Sequence, residues 1–369
     1  MKKFCYLIVT VLLVFGVAAC SAKKDKDTSS TNPTKEADSK SVDLTPTTAV
    51  STAVITPTLT QAPAGETATG TVETKEIESK AIAKNIIGDT ATRTIYIYLP
   101  PSYNSSDKSY PVVYFLHGYG DTCQTFMDSY QTSLNNQFNN GAKEFILVAL
   151  DGNNKTGGSF YVNSPVMGNW DDFVVKEVVS YMDKNYRTIA DNASRGLSGY
   201  SMGGFGALYL SLRHPDVFCS SLVFCPGVFA ENDLDSVMDS WTGWTDVQQS
   251  YAQAFSPDKK NTEDYGNILS DSDIKAKNQV WKDWMNGYSN WDTKLDKYLA
   301  LKKPLKAIEI NYSPDDQFSW IPRGCEYLVN LMKKKKINYT ISDFAGGHIV
   351  PNDAIENYFV PFFGEQLSY

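Results

Sequence analysis

Two short and nearly continuous apolar runs, Tyr110-Pro-Val-Val-Tyr-Phe-Leu116 and Glu144-Phe-Ile-Leu-Val-Ala-Leu150, narrow the fold more than any other feature of the chain. A strand with one face in water alternates apolar and polar residues, and these do not. They read as strands covered on both faces, which belong in a mostly parallel sheet layered between helices. Neighbouring segments fit that sheet. Thr94–Leu99 is β-branched and aromatic and stops at Pro100. Ser194–Tyr200, Ser220–Phe224, Leu305–Ile310 and Ile337–Asp343 supply further strands. Trp170–Tyr186, Met202–Arg213, Gln317–Lys334 and Asp353–Gln366 have helical spacing between them. The alternation predicts an α/β fold with helices on both faces of the sheet. Residues 229–303 interrupt the rhythm. They are polar, lean towards helix and hold five of the seven tryptophans, so they read as an insertion or cap.

The chain opens differently. Lys2 and Lys3 precede an apolar stretch, Tyr6–Val17, that is short for a membrane span, which needs about 20 apolar residues. Val17-Ala-Ala-Cys20 closes it and resembles a bacterial lipobox, which implies cleavage before Cys20 and lipidation of that thiol. Residues 1–20 are therefore expected to be a lipoprotein signal. Residues 21–70, rich in Ser, Thr and Pro, are expected to be a flexible tether, because they carry too little apolar surface to offset ordering entropy. The folded domain is expected to span 71–369. The mature protein would be anchored to a membrane and extracytoplasmic, and loss of Lys2 and Lys3 takes its formal charge from −8 to −10. Such a balance gives nucleic-acid binding no electrostatic support. The Lys333–Lys336 cluster reads as the solvated last turn of a helix. Cys123, Cys219, Cys225 and Cys325 are irregularly spaced, and their disulfide state is open. No Cys or His cluster suggests a metal, and no cofactor is expected.

Gly199-Tyr200-Ser201-Met202-Gly203 lies between a short strand and a helix. That context turns a weak pattern into a candidate nucleophile elbow: a sharp turn lifts the Ser201 hydroxyl above the sheet. The Met202 amide, at the helix N-terminus, can face a developing oxyanion. Of three histidines, His214 ends the elbow helix, where it can satisfy carbonyls, and His117 ends an upstream strand. His348 alone follows the order of nucleophile, acid and base along the chain. Asp315 and Asp316, in the turn after Leu305–Tyr312, are both candidates for the acid. Tyr119, in the turn after Leu116, is the expected second amide donor. His117, Tyr161, Trp170 and Trp320 are candidate substrate-binding residues, since aromatic faces suit phenolic acids and sugar rings.

The blocks Tyr110–Gly120, Arg195–Leu208 (with Ser-Met-Gly-Gly), Arg213–Phe218 and Gly346-Gly-His348 resemble the esterase D superfamily, which includes S-formylglutathione hydrolases and carbohydrate esterases of the feruloyl and acetylxylan type. The resemblance spans about residues 71–369. It implies an α/β-hydrolase fold, a Ser201–Asp316–His348 triad and oxyanion amides from Tyr119 and Met202. The family's acid stands in a Gly-x-x-Asp turn; Ser313-Pro-Asp-Asp316 keeps the spacing, with Ser in place of Gly. The expected activity is serine-dependent ester hydrolysis, with feruloylated or acetylated polysaccharide as substrate. Siderophore esters, acyl transfer and, as a different class, a non-catalytic glycan-binding lipoprotein are the alternatives.

Overall fold

The computed structural model describes residues 68–369, so Cys20 and the expectations for the signal and most of the tether lie outside the described residues. Its strands are β1 (Thr71–Glu78), β2 (Thr92–Leu99), β3 (Val112–Leu116), β4 (Ile146–Leu150), β5 (Asn163–Ser164), β6 (Gly168–Asn169), β7 (Arg195–Tyr200), β8 (Ser220–Phe224), β9 (Ala307–Tyr312) and β10 (Thr340–Asp343). β5 and β6 form a small ribbon. The other eight make one sheet in the order β1-β2-β4-β3-β7-β8-β9-β10. β1, β2 and β4 pair antiparallel, and every pairing from β4 to β10 is parallel.

The two apolar runs behave as their composition requires: every residue of β3 and β4 is buried. Their side chains divide between two cores. Val112, Tyr114 and Leu116 join Ile146, Val148 and Leu150 on one face, packed with Phe173, Met182, Leu208 and Leu328 from the helices there. Val113 and Phe115 join Leu147 and Ala149 on the other, under Phe126 and Leu134 of the helix Cys123–Asn139 and Phe359 and Phe363 near the C-terminus. Both faces are therefore dry, which is why neither strand needs a polar alternate.

The register aligns one edge of the sheet. Leu116 at the end of β3 pairs with Gly199, Tyr200 with Phe224, Phe224 with Asn311, and Tyr312 with Asp343. The loops leaving β3, β7, β8, β9 and β10 thus start side by side at the carboxyl edge, where open α/β sheets place ligands.

Several elements were not anticipated, β1 and the helix Cys123–Asn139 being the longest of them. β1 carries Thr, Glu and Lys at most positions, and the helix Cys123–Asn139 is polar over much of its length. Between β8 and β9 stand five helices among the described residues: Leu234–Ser240, Thr245–Phe255, Asp271–Ala276, Gln279–Met285 and Trp291–Ala300. Polar outside, this insertion has an aromatic interior. Trp241 lies 5.2 Å from Tyr251, and Tyr251 lies 4.9 Å from Trp284, all three buried.

Candidate active site

Ser201 sits between β7 and the helix Met202–Arg213 with φ 55° and ψ −117°, a conformation that costs on the order of 1–3 kcal/mol for a residue with a Cβ. The elbow is held by its own backbone. The Ser201 amide donates to the Phe224 carbonyl at 3.0 Å, and the Gly227 amide donates to the Ser201 carbonyl at 3.0 Å. Closeness, more than flexibility, explains the glycines. A Cβ on Gly203 would stand 1.9 Å from the Leu116 carbonyl oxygen, and one on Gly118 would stand 3.0 Å from the Tyr200 ring and 3.3 Å from the Ser201 Cβ. The turn after β3 therefore runs directly against the serine.

His348 Nε2 lies 2.8 Å from Ser201 Oγ, and its Nδ1 lies 2.7 Å from Asp316 Oδ2. Asp316 Oδ1 accepts from the Phe318 amide at 2.8 Å, which leaves the carboxylate facing the imidazole. The Asp316 and His348 side chains are 0 % and 8 % exposed, so water does not compete for their contact. Asp315 is exposed and makes no such contact, which separates the two acid candidates. The Ser at 313 has a task of its own: its Oγ accepts from the Gly347 amide at 3.0 Å. Gln317 Oε1 accepts from the His348 amide at 3.0 Å, and the Tyr200 hydroxyl donates to the His348 carbonyl at 2.6 Å. The histidine loop is thus tied to the acid turn and to the elbow. Neither Gln317 nor Tyr200 was singled out from sequence, and only the position of Tyr200 beside Ser201 hinted at it.

The amides of Tyr119 and Met202 leave the loops that meet at Ser201, and among the described residues no backbone carbonyl accepts from either. Free amides at a helix N-terminus and an adjacent turn can stabilise negative charge on an oxygen bound there.

Above the serine lies a cavity of about 100 Å³ walled by aromatic rings: Tyr119, Phe160, Trp241, Trp244, Tyr288, Phe318 and Trp320. Three of these, Trp241, Trp244 and Tyr288, come from the insertion, and the other four pack on it. Phe318 meets the His348 ring edge-on at 5.0 Å, and Trp244, an exposed tryptophan, lies 6.5 Å from Phe318 and 5.5 Å from Tyr119. Burial pushes the Tyr119 phenol up to about 12, and its hydroxyl is 3.4 Å from Ser250 Oγ, so it stays a neutral wall.

Of the four expected substrate-binding residues, only Trp320 reaches this cavity. His117 is fully buried: its Nδ1 lies 2.7 Å from the Gly118 carbonyl and its Nε2 accepts from the Gly152 amide at 2.8 Å, so it splints two loops. Tyr161 is buried beneath it and donates to the His117 carbonyl at 3.1 Å. Trp170 is buried under Arg93, whose guanidinium lies 4.6 Å from its ring. These three are structural, because their polar atoms are already partnered inside the fold. His214 likewise turns its ring to Asp171, at 2.7 Å, and not to helix carbonyls.

The four described cysteines are buried free thiols. Cys225 Sγ, an Asp316 oxygen and a His348 nitrogen lie within 4.8 Å of one another, a spacing that metal ligands share. Burial and the Asp316 carboxylate push the Cys225 thiol up to about 12, however, and the other two groups are hydrogen-bonded to each other. The trio is satisfied as it stands.

A mostly parallel sheet clad by helices, with a serine on a strand-turn-helix elbow at its carboxyl edge, defines an α/β hydrolase. Within that class the chain belongs to the Esterase family, whose pattern it matches over residues 90–310. It is 31% identical over 132 residues to an esterase of Mycobacterium tuberculosis, covering 34% of this chain and 27% of that protein. It is 33% identical over 157 residues to an S-formylglutathione hydrolase of Arabidopsis thaliana, covering 36% of this chain and 51% of the relative. The chain thus spans between about a quarter and a half of the length of these relatives. A solved ferulic acid esterase shares the fold, with a TM-score of 0.55 at 22% identity over 81% of this chain and 99% of that one.

Proposed function

We propose that this protein is an exported carboxylic-ester hydrolase that works through an acyl-serine. The observation that carries the reading is the continuous hydrogen-bonded line from Ser201 through His348 to Asp316, opening on a cavity with two free amides beside it. In the reaction, His348 Nε2 takes the Ser201 proton as the oxygen attacks the ester carbonyl, and Asp316 holds the Nδ1 proton and stabilises the imidazolium. The Tyr119 and Met202 amides receive the oxyanion, each worth on the order of 3 kcal/mol. His348 then gives its proton to the departing alcohol, and water repeats the sequence on the acyl-serine.

Feruloyl or related phenolic esters of plant polysaccharide are the substrates we favour, on the strength of the aromatic walls and the ferulic acid esterase fold. The cavity size supports a second reading. About 100 Å³ is less than the roughly 150 Å³ that receives a benzene ring in a buried pocket, so a short acyl such as acetyl fits within it, whereas a phenolic acyl would extend past Trp244 towards solvent. Cys20 lipidation and a surface location complete the proposal and rest on the Val17–Cys20 sequence. The test compares p-nitrophenyl acetate, acetylated xylan and methyl ferulate. Ser201→Ala should lower kcat on the order of 10⁶-fold with an unchanged circular dichroism spectrum; substantial turnover by that variant removes the serine mechanism.

A further inference from the structure

A second cavity lies well away from Ser201. It holds about 480 Å³, within the roughly 300–1,000 Å³ typical of small-molecule sites, and shares no lining residue with the serine pocket. It lies at the opposite end of the elbow helix, where Tyr209 and Arg213 face the insertion helix Trp291–Ala300. Eleven residue rises separate Met202 from Arg213, roughly 16 Å along the axis.

The charge in this cavity is unbalanced. Lys294 and Lys297 stand one turn apart on the insertion helix and both line it, and no carboxylate does. The Lys294 ammonium donates to the carbonyls of Asn286, at 2.8 Å, and Ser289, and rests 5.3 Å from the Trp291 ring. Carbonyl dipoles and a ring face orient a cation without neutralising it. Burial, reinforced by the Lys297 charge, lowers the Lys294 pKa to about 7. Arg213 is different, since it is committed to Asp171 at 3.2 Å. The rest of the lining combines side-chain amides, Asn286 and Asn290 among them, with aromatic residues such as Tyr209 and the aliphatic Val162, Leu212, Ala254 and Leu301. Amides match sugar hydroxyls, aromatic residues match the C–H face of a pyranose, and paired ammonium groups match a carboxylate.

We propose that this cavity binds an acidic sugar, a pyranose unit bearing a carboxylate within a glycan chain, with Lys294 and Lys297 meeting the carboxylate. It is a second site, separate from ester cleavage, and would hold a charged polysaccharide on the enzyme while esters elsewhere on the chain reach Ser201. The inference stands on the cavity and does not require the esterase reading.

Calorimetric titration of the full protein tests it with glucuronate, a glucuronate-bearing xylo-oligosaccharide, the matching neutral oligosaccharide and inorganic phosphate. The acidic oligosaccharide should bind at least roughly tenfold more tightly than the neutral one, and Lys294→Met should abolish the difference. Lys297→Glu, at an exposed position, should do the same without risk to folding. Turnover of p-nitrophenyl acetate by both variants should equal that of the parent, so a failed esterase and a failed glycan site give different results. Equal binding of the neutral oligosaccharide, full affinity in Lys297→Glu, or phosphate binding as tight as the acidic sugar would each overturn the proposal.

Discussion

At the scale of single residues the site depends on which atoms are already spoken for. Asp316 has one carboxylate oxygen on the Phe318 amide and the other on His348, while its neighbour Asp315 faces solvent. Asp316→Asn should therefore lower kcat about 10⁴-fold, because an amide holds the wrong imidazole tautomer, whereas Asp315→Asn should stay within about twofold of the parent. Steady-state rates on p-nitrophenyl acetate check both, and equal losses would reassign the acid. Ser201 and His348 could be singled out beforehand because chain order and the scarcity of histidines left few choices, while the residues alone left Asp315 and Asp316 both open and only the family resemblance pointed to Asp316, the one that reaches His348. His117, Tyr161 and Trp170 were misread for a physical reason. An aromatic residue near a glycine-rich turn looks the same in sequence whether it faces a cavity or seals a core, and only partnering distinguishes the two. Ser313 shows the reverse: a departure from the expected glycine turned out to hold the Gly347 amide.

Among the elements, the elbow and the insertion make opposite demands. The elbow tolerates no added atom. Gly203→Ala sets a methyl 1.9 Å from the Leu116 carbonyl and should cost about 3 kcal/mol, lowering Tm by roughly 5 °C. Gly364, in the helix Val360–Gln366 with nothing within 4 Å of its would-be Cβ, should instead gain about 0.5–1 kcal/mol as Ala. Differential scanning calorimetry on the pair reads the contrast, and a harmless Gly203→Ala would mean the helix can back away from β3. The insertion supplies part of the cavity wall. Trp244 is exposed, yet its ring closes the serine cavity between Tyr119 and Phe318. Trp244→Ala should raise kcat/KM for methyl ferulate relative to p-nitrophenyl acetate by roughly tenfold. A fall in that ratio would make Trp244 a partner of the phenolic ring in place of a barrier to it. The α/β arrangement was legible because β3 and β4 are apolar without alternation. β1 was not, since an edge strand half in water takes Thr, Glu and Lys and owes its form to pairing with β2.

For the whole molecule, the question is where the self-sufficient unit begins. Every side chain that lines the serine cavity, and every hydrogen bond around Ser201, His348 and Asp316, comes from residues 117–348. The N-terminal boundary is nonetheless set earlier. Gly70 donates its amide to Asn135 Oδ1 at 2.7 Å, Asn139 donates to the Ala68 carbonyl at 2.8 Å, and β1 pairs with β2 along all eight of its residues. The chain is therefore fastened to the sheet from about residue 68, ahead of any functional residue. A variant beginning at residue 68 should keep kcat/KM on p-nitrophenyl acetate within about twofold of the full chain. One beginning at residue 80 exposes the ladder of β2 as a new unpaired edge and should lose several kcal/mol, or aggregate. Activity and thermal melts of the two truncations decide the matter. A tenfold loss of activity on removing residues 1–67, with the melting temperature unchanged, would show that the unit beginning at residue 68 is not self-sufficient for function.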